Sequence, residues 1–327
     1  MTTPSSVGTA ATTVAAKARY LYFPGCSLHS TAEEYNDSTQ ALLEALGLAF
    51  EELDDWNCCG ATPAHATSRF LAEALPLRNL VNAEKQVEKR GAAAKDGATG
   101  VAPVEILVPC AACYNAFRIA EHSVRSGDAH GREINQDIAE ITGRGFGGAV
   151  TVRHPLDVLG RREELARLGG LVKRSLGGLK VACYYGCLLT RPSKIVSFEP
   201  NPEHPVAMDN LMAALGAEPV RWSHKTDCCG QSMSMAEQDL VIDLTSRVTE
   251  AAKMAGAEAI VTACPLCMMN LDSRQKPAVA GEPLLPVFFF SELAAVALGL
   301  GKTAAWFKRH LIDVRPALGR LEAKPSA

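Results

Sequence analysis

Four short apolar runs punctuate the chain, and each ends on a cysteine: ARYLYFPGC (18–26), EILVPC (105–110), LKVACYYGC (179–187) and EAIVTAC (258–264). Runs of this length, rich in aliphatic and aromatic residues and followed by helix-compatible sequence, predict β-strands. Between them lie NDSTQALLEALGLAF (36–50) and HPVAMDNLMAALGAEP (204–219), which predict helices. The first opens on a polar Asn36-Asp37-Ser38 stretch suited to capping, and the second closes on Gly216, a good helix stop. A further apolar stretch, LPVFFFSELAAVALGLG from Leu285, is interrupted by Ser291 and Glu292. It predicts a short strand followed by a buried helix, because no apolar run reaches the ~18 residues of a membrane span.

Strands alternating with helices imply mostly parallel sheets, and in such folds ligands gather beyond the carboxyl ends of the strands. The cysteines stand at those ends. Cys26, Cys58, Cys59, Cys110 and Cys113 have the form C-x31-CC-x50-CxxC, and Cys187, Cys228, Cys229, Cys264 and Cys267 have the form C-x40-CC-x34-CxxC. The local text repeats as well: YFPGCSLH with YYGCLLTR, NCCGATPA with DCCGQSMS, and VPCAACYN with TACPLCMM. This internal repeat predicts an α/β fold of two homologous, cysteine-rich halves with short, mostly parallel sheets related by a pseudo-twofold. The expected divisions are a disordered Thr/Ala/Ser-rich tail (1–18), a first CCG half (19–170) and a second (171–327).

Composition narrows the chemistry. With 327 residues and 47% hydrophobic content the chain can build a substantial core, and its net charge of −3 gives no electrostatic reason to expect nucleic acid. The N-terminus lacks the basic and apolar regions of a signal peptide, so a cytoplasmic location is expected, where eleven cysteines serve as ligands or redox groups and not as disulfides. Thiolates select zinc, iron–sulfur clusters or Cu(I). Five thiols per half exceed the four that a structural zinc takes, and adjacent cysteines do not easily fill two corners of one tetrahedron. A vicinal disulfide would be strained. An expanded iron–sulfur assembly is the better reading, with zinc on four thiols left open. The chain has no compact ferredoxin run of cysteines and no dinucleotide fingerprint, and GLGKTA has Val296 where a phosphate loop needs its first glycine. Electrons therefore come from, or go to, another protein.

The duplicated motif, with CCG twice, resembles the family of the heterodisulfide reductase B subunit across roughly Arg19 to Leu321, and the closing LPVFFFSELAAVALGL and KRHLIDVRP resemble that family's C-terminal segment. The resemblance implies two non-cubane [4Fe–4S] clusters, one on Cys26, Cys58, Cys59, Cys110 and Cys113 and one on Cys187, Cys228, Cys229, Cys264 and Cys267. The second set is the expected catalytic site. The resemblance also implies two partners, the ferredoxin-like C subunit and the flavoprotein A subunit of the complex. The substrate would be a disulfide or thiol, a lipoyl carrier protein being one form, cleaved between the two sites in a pocket at the seam of the halves. Zinc in the first site is the mixed alternative. Rival functions are electron transfer within a succinate-, glycolate- or lactate-type oxidoreductase and a non-enzymatic zinc scaffold. The x50 interval is longer than the family's, and its surplus is expected in EKRGAAAKDGATGVAPVE (88–105), read as a surface loop.

Other residues have plainer readings. Cys183 is expected to be a buried structural thiol. His29, His65, His154 and His224 are weighed as proton relays against ordinary hydrogen-bonded histidines. Met233, Met235, Met268 and Met269 are expected in the core, with a soft wall for a sulfur substrate as the alternative. Arg191 and Lys194 either attract an anionic carrier or sit on solvated surface. The glycine after each CC pair either approaches the metal group or makes a tight turn.

Overall fold

A computed structural model describes residues 20–61, 63–93, 104–276 and 281–319. The expected tail lies outside them. Two four-stranded sheets form, each entirely parallel. The first has strand order β2-β1-β3-β4, built from β1 (Tyr20–Tyr22), β2 (Phe50–Glu52), β3 (Val104–Leu107) and β4 (Val150–Arg153). The second repeats that order as β6-β5-β7-β8, with β5 (Lys180–Tyr184), β6 (Glu218–Pro219), β7 (Ala259–Thr262) and β8 (Val287–Phe289). Central strands such as β1 and β7 are buried at every residue, which is why they read as unbroken apolar runs. The edge strand β2, Phe-Glu-Glu, is only partly buried and carries its charges toward water.

The expected α/β fold of two homologous halves is what forms, with local differences. The helix expected over 36–50 spans Glu33–Ala45, so Asn36, Asp37 and Ser38 lie inside it and do not cap it. Ser38 instead meets the Ser291 hydroxyl at 2.7 Å, across to the second half. Residues 88–93 are not loop but the end of a 25-residue helix, Arg69–Ala93, against 17 residues for its counterpart Gln238–Met254. This longer helix absorbs part of the wider cysteine interval; residues 94–103 are outside the described set.

The halves exchange their ends. The helix Phe290–Leu298, buried at all nine positions, follows β8 yet packs on Glu33–Ala45 of the first half. Reciprocally, Pro155–Leu159 and Arg162–Leu171 follow β4 and pack on Ala207–Ala214 of the second half. Tyr35 stacks on Phe289 with ring centroids 4.1 Å apart and planes 6° apart. The seam is thus a hydrophobic core shared by both repeats.

Candidate metal centre

Parallel strands end on one edge of their sheet, and three of the four strands in each half deliver cysteines there. Cys26 follows β1, Cys58 and Cys59 follow β2, and Cys110 and Cys113 follow β3; Cys187, Cys228, Cys229, Cys264 and Cys267 follow β5, β6 and β7 in the same way. Cys110 and Cys264 are the N-cap residues of the helices Ala111–Ser126 and Pro265–Ser273. Free amides at a helix start favour a thiolate.

Each set of five is brought together, and the two sets meet. The Cys26 and Cys58 sulfurs are 3.5 Å apart, and those of Cys59 and Cys113 are 3.0 Å apart. In the second half Cys229 and Cys267 are 3.5 Å apart. The two sets approach each other at the seam, where Cys110 and Cys264 perturb one another's acidity. Cys26, Cys58 and Cys228 are exposed, while Cys110 and Cys264 are buried.

Electrostatics follow the same repeat. Hydrogen bonds from Cys26 and then Cys59, with the Gly60 amide 3.5 Å away, draw Cys58 down to about 2. A bond from Cys187, helped by the Gly230 amide at 3.3 Å, draws Cys228 down to about 6 against its own burial and Asp227. Cys26 and Cys187, as the donors, are pushed up. The CCG glycine thus supplies an amide to the sulfur two residues earlier, in a turn with φ +70° at Gly60 and +77° at Gly230. A Cβ there would strike Leu75 and Ala64, or Leu244 and Val241, and not the sulfurs. The glycines that crowd the site are Gly25 and Gly186, where a Cβ would lie 3.2 Å from the Cys113 and Cys267 sulfurs.

Among the described residues no three His, Cys, Asp or Glu side chains surround one point as the ligands of a single ion do. The donor set itself is five thiols per half, bounded by glycine backbone. That set is soft, rich in sulfur and free of carboxylate, and it fits an iron–sulfur group.

The remaining candidates separate clearly. Cys183 is fully buried in β5, its thiol pushed up by burial. His154 is fully buried and held near 4 by that burial. His29 lies 3.4 Å from Glu52, His224 bonds Ser223 at 2.8 Å, and His65 is exposed. Met268 is buried, but Met233, Met235 and Met269 are exposed (Met235 at 94%), so the core expectation fails for three of the four methionines. They follow the CCG turn or face outward from the CxxC helix, where no strand covers them. Arg191 is tied to Thr226 O at 2.7 Å and to Glu203; Lys194 is exposed. Where the Cys110 and Cys264 segments come together, Tyr35 and His154 are buried beside them.

Sequence reasoning missed the residues that join the halves. Tyr114 donates to Val196 O at 2.9 Å, and Asn115 donates to Leu188 O and Arg191 O at 2.8 and 2.7 Å. Asn115 stands beside the CxxC motif, the one available signal. Glu34, Glu292 and His310 form a buried group: His310 Nε2 is 2.9 Å from Glu292, while Glu34 Oε2 and His310 Nδ1 have no hydrogen-bond partner; Glu292 and His310 lie in the C-terminal segments noted above, and Glu34 carries no signal.

Over most of its length the chain is similar to known proteins. The chain is 29% identical over 297 residues to the 8-methylmenaquinol:fumarate reductase membrane anchor subunit of Wolinella succinogenes, covering 90% of this chain and 97% of that one. It is 27% identical over 307 residues to the B subunit of the ferredoxin/F(420)H(2)-dependent CoB-CoM heterodisulfide reductase of Methanosarcina acetivorans (90% and 94%). A protein of Archaeoglobus profundus that is like the heterodisulfide reductase B subunit is 25% identical over 290 residues (86% and 91%). The crystal structure of a hypothetical protein from Helicobacter pylori shares the fold, with a TM-score of 0.61 at 11% identity over 91% of this chain and 53% of that one. No helix among the described residues is long and apolar enough to cross a membrane. The family model for the CCG cysteine-rich domain matches twice, over residues 20–118 and 181–272, and the chain belongs to that family, with heterodisulfide reductase B subunits among its relatives.

Proposed function

We propose that this chain is the iron–sulfur subunit of a multi-subunit oxidoreductase acting on sulfur–sulfur bonds. The observation that carries the reading is the pair of five-cysteine sets beyond the strand ends of two parallel sheets, which approach each other where the Tyr35 hydroxyl reaches the carbonyls just before Cys110 and Cys264. Cys26, Cys58, Cys59, Cys110 and Cys113 would hold one non-cubane [4Fe–4S] cluster, and Cys187, Cys228, Cys229, Cys264 and Cys267 the other, in units 19–170 and 171–327. The clusters, when bound, supply one-electron steps. Cleaving a disulfide takes two electrons and two protons and yields two thiols, so a paired arrangement suits it. The chain's own residues orient the groups: the CCG amides and helix starts favour thiolates, and Gly25 and Gly186 leave room at the sulfurs. Exposed Cys26, Cys58 and Cys228 favour approach of electron-carrying partners from the surface. A ferredoxin-like partner with a flavoprotein behind it, and a disulfide or lipoyl-bound thiol as substrate, fit this reading.

A second reading, an electron relay to a different oxidoreductase, is favoured by the similarity to a fumarate reductase subunit. Anaerobic purification decides the shared premise. Iron and sulfide are expected in both halves, with Cys58→Ser and Cys228→Ser each losing about half the iron. Stoichiometric zinc in place of iron would refute the proposal. With iron present, turnover of a heterodisulfide or of lipoyl-bound sulfur by the assembled complex supports the sulfur reading, and electron transfer without either supports the relay.

A further inference from the structure

The two sulfur sets meet at Cys110 and Cys264, and two side chains outside both sets surround the meeting point. Tyr35, wholly buried, donates its hydroxyl to Pro109 O at 3.0 Å and lies 3.3 Å from Ala263 O. These are equivalent carbonyls of the two repeats, each one residue before a seam cysteine. His154 arrives from the end of β4. Its Nδ1 accepts the Leu156 amide at 3.1 Å, which places the proton on Nε2, and Nε2 donates to Pro109 O at 2.7 Å.

The repeat shows that this arrangement is not simply inherited symmetry. Leu107 pairs with Arg153 in the first sheet, and its counterpart Val261 pairs with Phe288 in the second. The counterpart of His154 is therefore Phe289, which has no donor. Tyr35 stacks on that very ring and brings its hydroxyl to the carbonyls instead. One imidazole and one phenol thus bond the two cysteine loops where an exact twofold would place two identical side chains.

We infer that Tyr35 and His154 are positioning residues that hold Cys110 against Cys264 and so couple the two sulfur sites. The inference rests on the two-cluster reading. Removing Tyr35 takes the hydroxyl from both carbonyls, and removing His154 leaves Pro109 O with one side-chain donor in place of two, so in each case the loops shift. Electronic coupling falls steeply with separation, so a small shift there is felt between the sites.

The test uses the full-length, iron-loaded chain under reducing, oxygen-free conditions. Electron paramagnetic resonance reads the magnetic interaction between the two sites, and carbon-13 resonances read the Pro109 and Ala263 carbonyls. Tyr35→Phe is expected to shift both carbonyls and weaken the interaction about twofold or more while keeping full iron. Tyr22→Phe is the control, since it removes an equally buried hydroxyl that bonds only Asn36, at 2.9 Å. It should change neither signal. His154→Phe should act like Tyr35→Phe, and His154→Gln, which keeps an N–H, should restore the interaction. The His154 pair decides the matter if Tyr35→Phe does not fold. An interaction unchanged in Tyr35→Phe and His154→Phe, or weakened equally by Tyr22→Phe, overturns the inference. Shifted carbonyls in a chain that binds no iron would overturn the two-cluster reading and the coupling with it, leaving only a seam clamp.

Discussion

Glu34 offers the sharpest test of the seam's energetics. It sits in the first turn of the helix Glu33–Ala45 and is 5% exposed, and its Oε2 makes no hydrogen bond, the Arg309 guanidinium being 4.0 Å away. Burial, only partly offset by its own backbone amide, raises its carboxyl from 4.5 to about 7, with Glu292 adding to the rise and His310 and Arg309 opposing it. The native state therefore holds this proton more tightly than the unfolded chain. Its stabilising share is complete below about pH 4.5, declines as pH rises toward 7, and is gone above that. At about 1.36 kcal/mol per pH unit, the span corresponds to about 3 kcal/mol. Glu34→Gln has no charge to bury. It should match wild type near pH 4.5 and exceed it by about 3 kcal/mol at pH 8, or about 4 °C in melting temperature for a chain of this size. Calorimetry of both proteins across pH 4.5–8.5 reads the difference, in which the shared thiols largely cancel. A melting difference independent of pH, or a glutamine variant less stable at pH 8, would refute a buried carboxyl that holds its proton more tightly in the folded chain.

Three further outcomes follow from single positions. Cys183→Ala removes a sulfur from a fully buried strand site outside both five-cysteine sets; it should cost about 1–2 kcal/mol in a melt and leave iron content unchanged. Gly186→Ala combines φ +66° with a Cβ 3.2 Å from the Cys267 sulfur, so it should lose iron from the second site, whereas Gly47→Ala, at φ +64° in open space, should cost only about 1 kcal/mol and retain it. Under mild peroxide, peptide mass spectrometry should find Met235, 94% exposed, oxidised well before Met268, at 7%; equal rates would contradict the exposed placement.

Much of this was legible in the chain because parallel strands buried on both faces leave unbroken apolar text, and because the cysteines mark the strand ends. The repeated text then implies two like halves before any coordinate is known. What stayed hidden depends on contacts between distant segments. Ser38 looks like a capping residue until Ser291, far along the chain, takes its hydroxyl. Phe290–Leu298 is readable as a buried helix, but nothing local says that it is buried against the other repeat. Tyr35 carries no motif, because its two carbonyl partners lie in different halves.

The seam also shows how far the two repeats have diverged around a shared cysteine pattern. In the first half Tyr114, Asn115 and Arg118 tie the CxxC helix to residues 188–196 of the second. Their counterparts by cysteine alignment are Met268, Met269 and Asp272, which instead line a cavity of about 230 Å³ with Glu34 and His310. One flank is sealed by hydrogen bonds; the other is soft, partly open and bordered by two buried polar atoms that make no hydrogen bond. The cysteine pattern is thus kept while the segments beside it differ, so the two halves are not interchangeable in what surrounds their thiols.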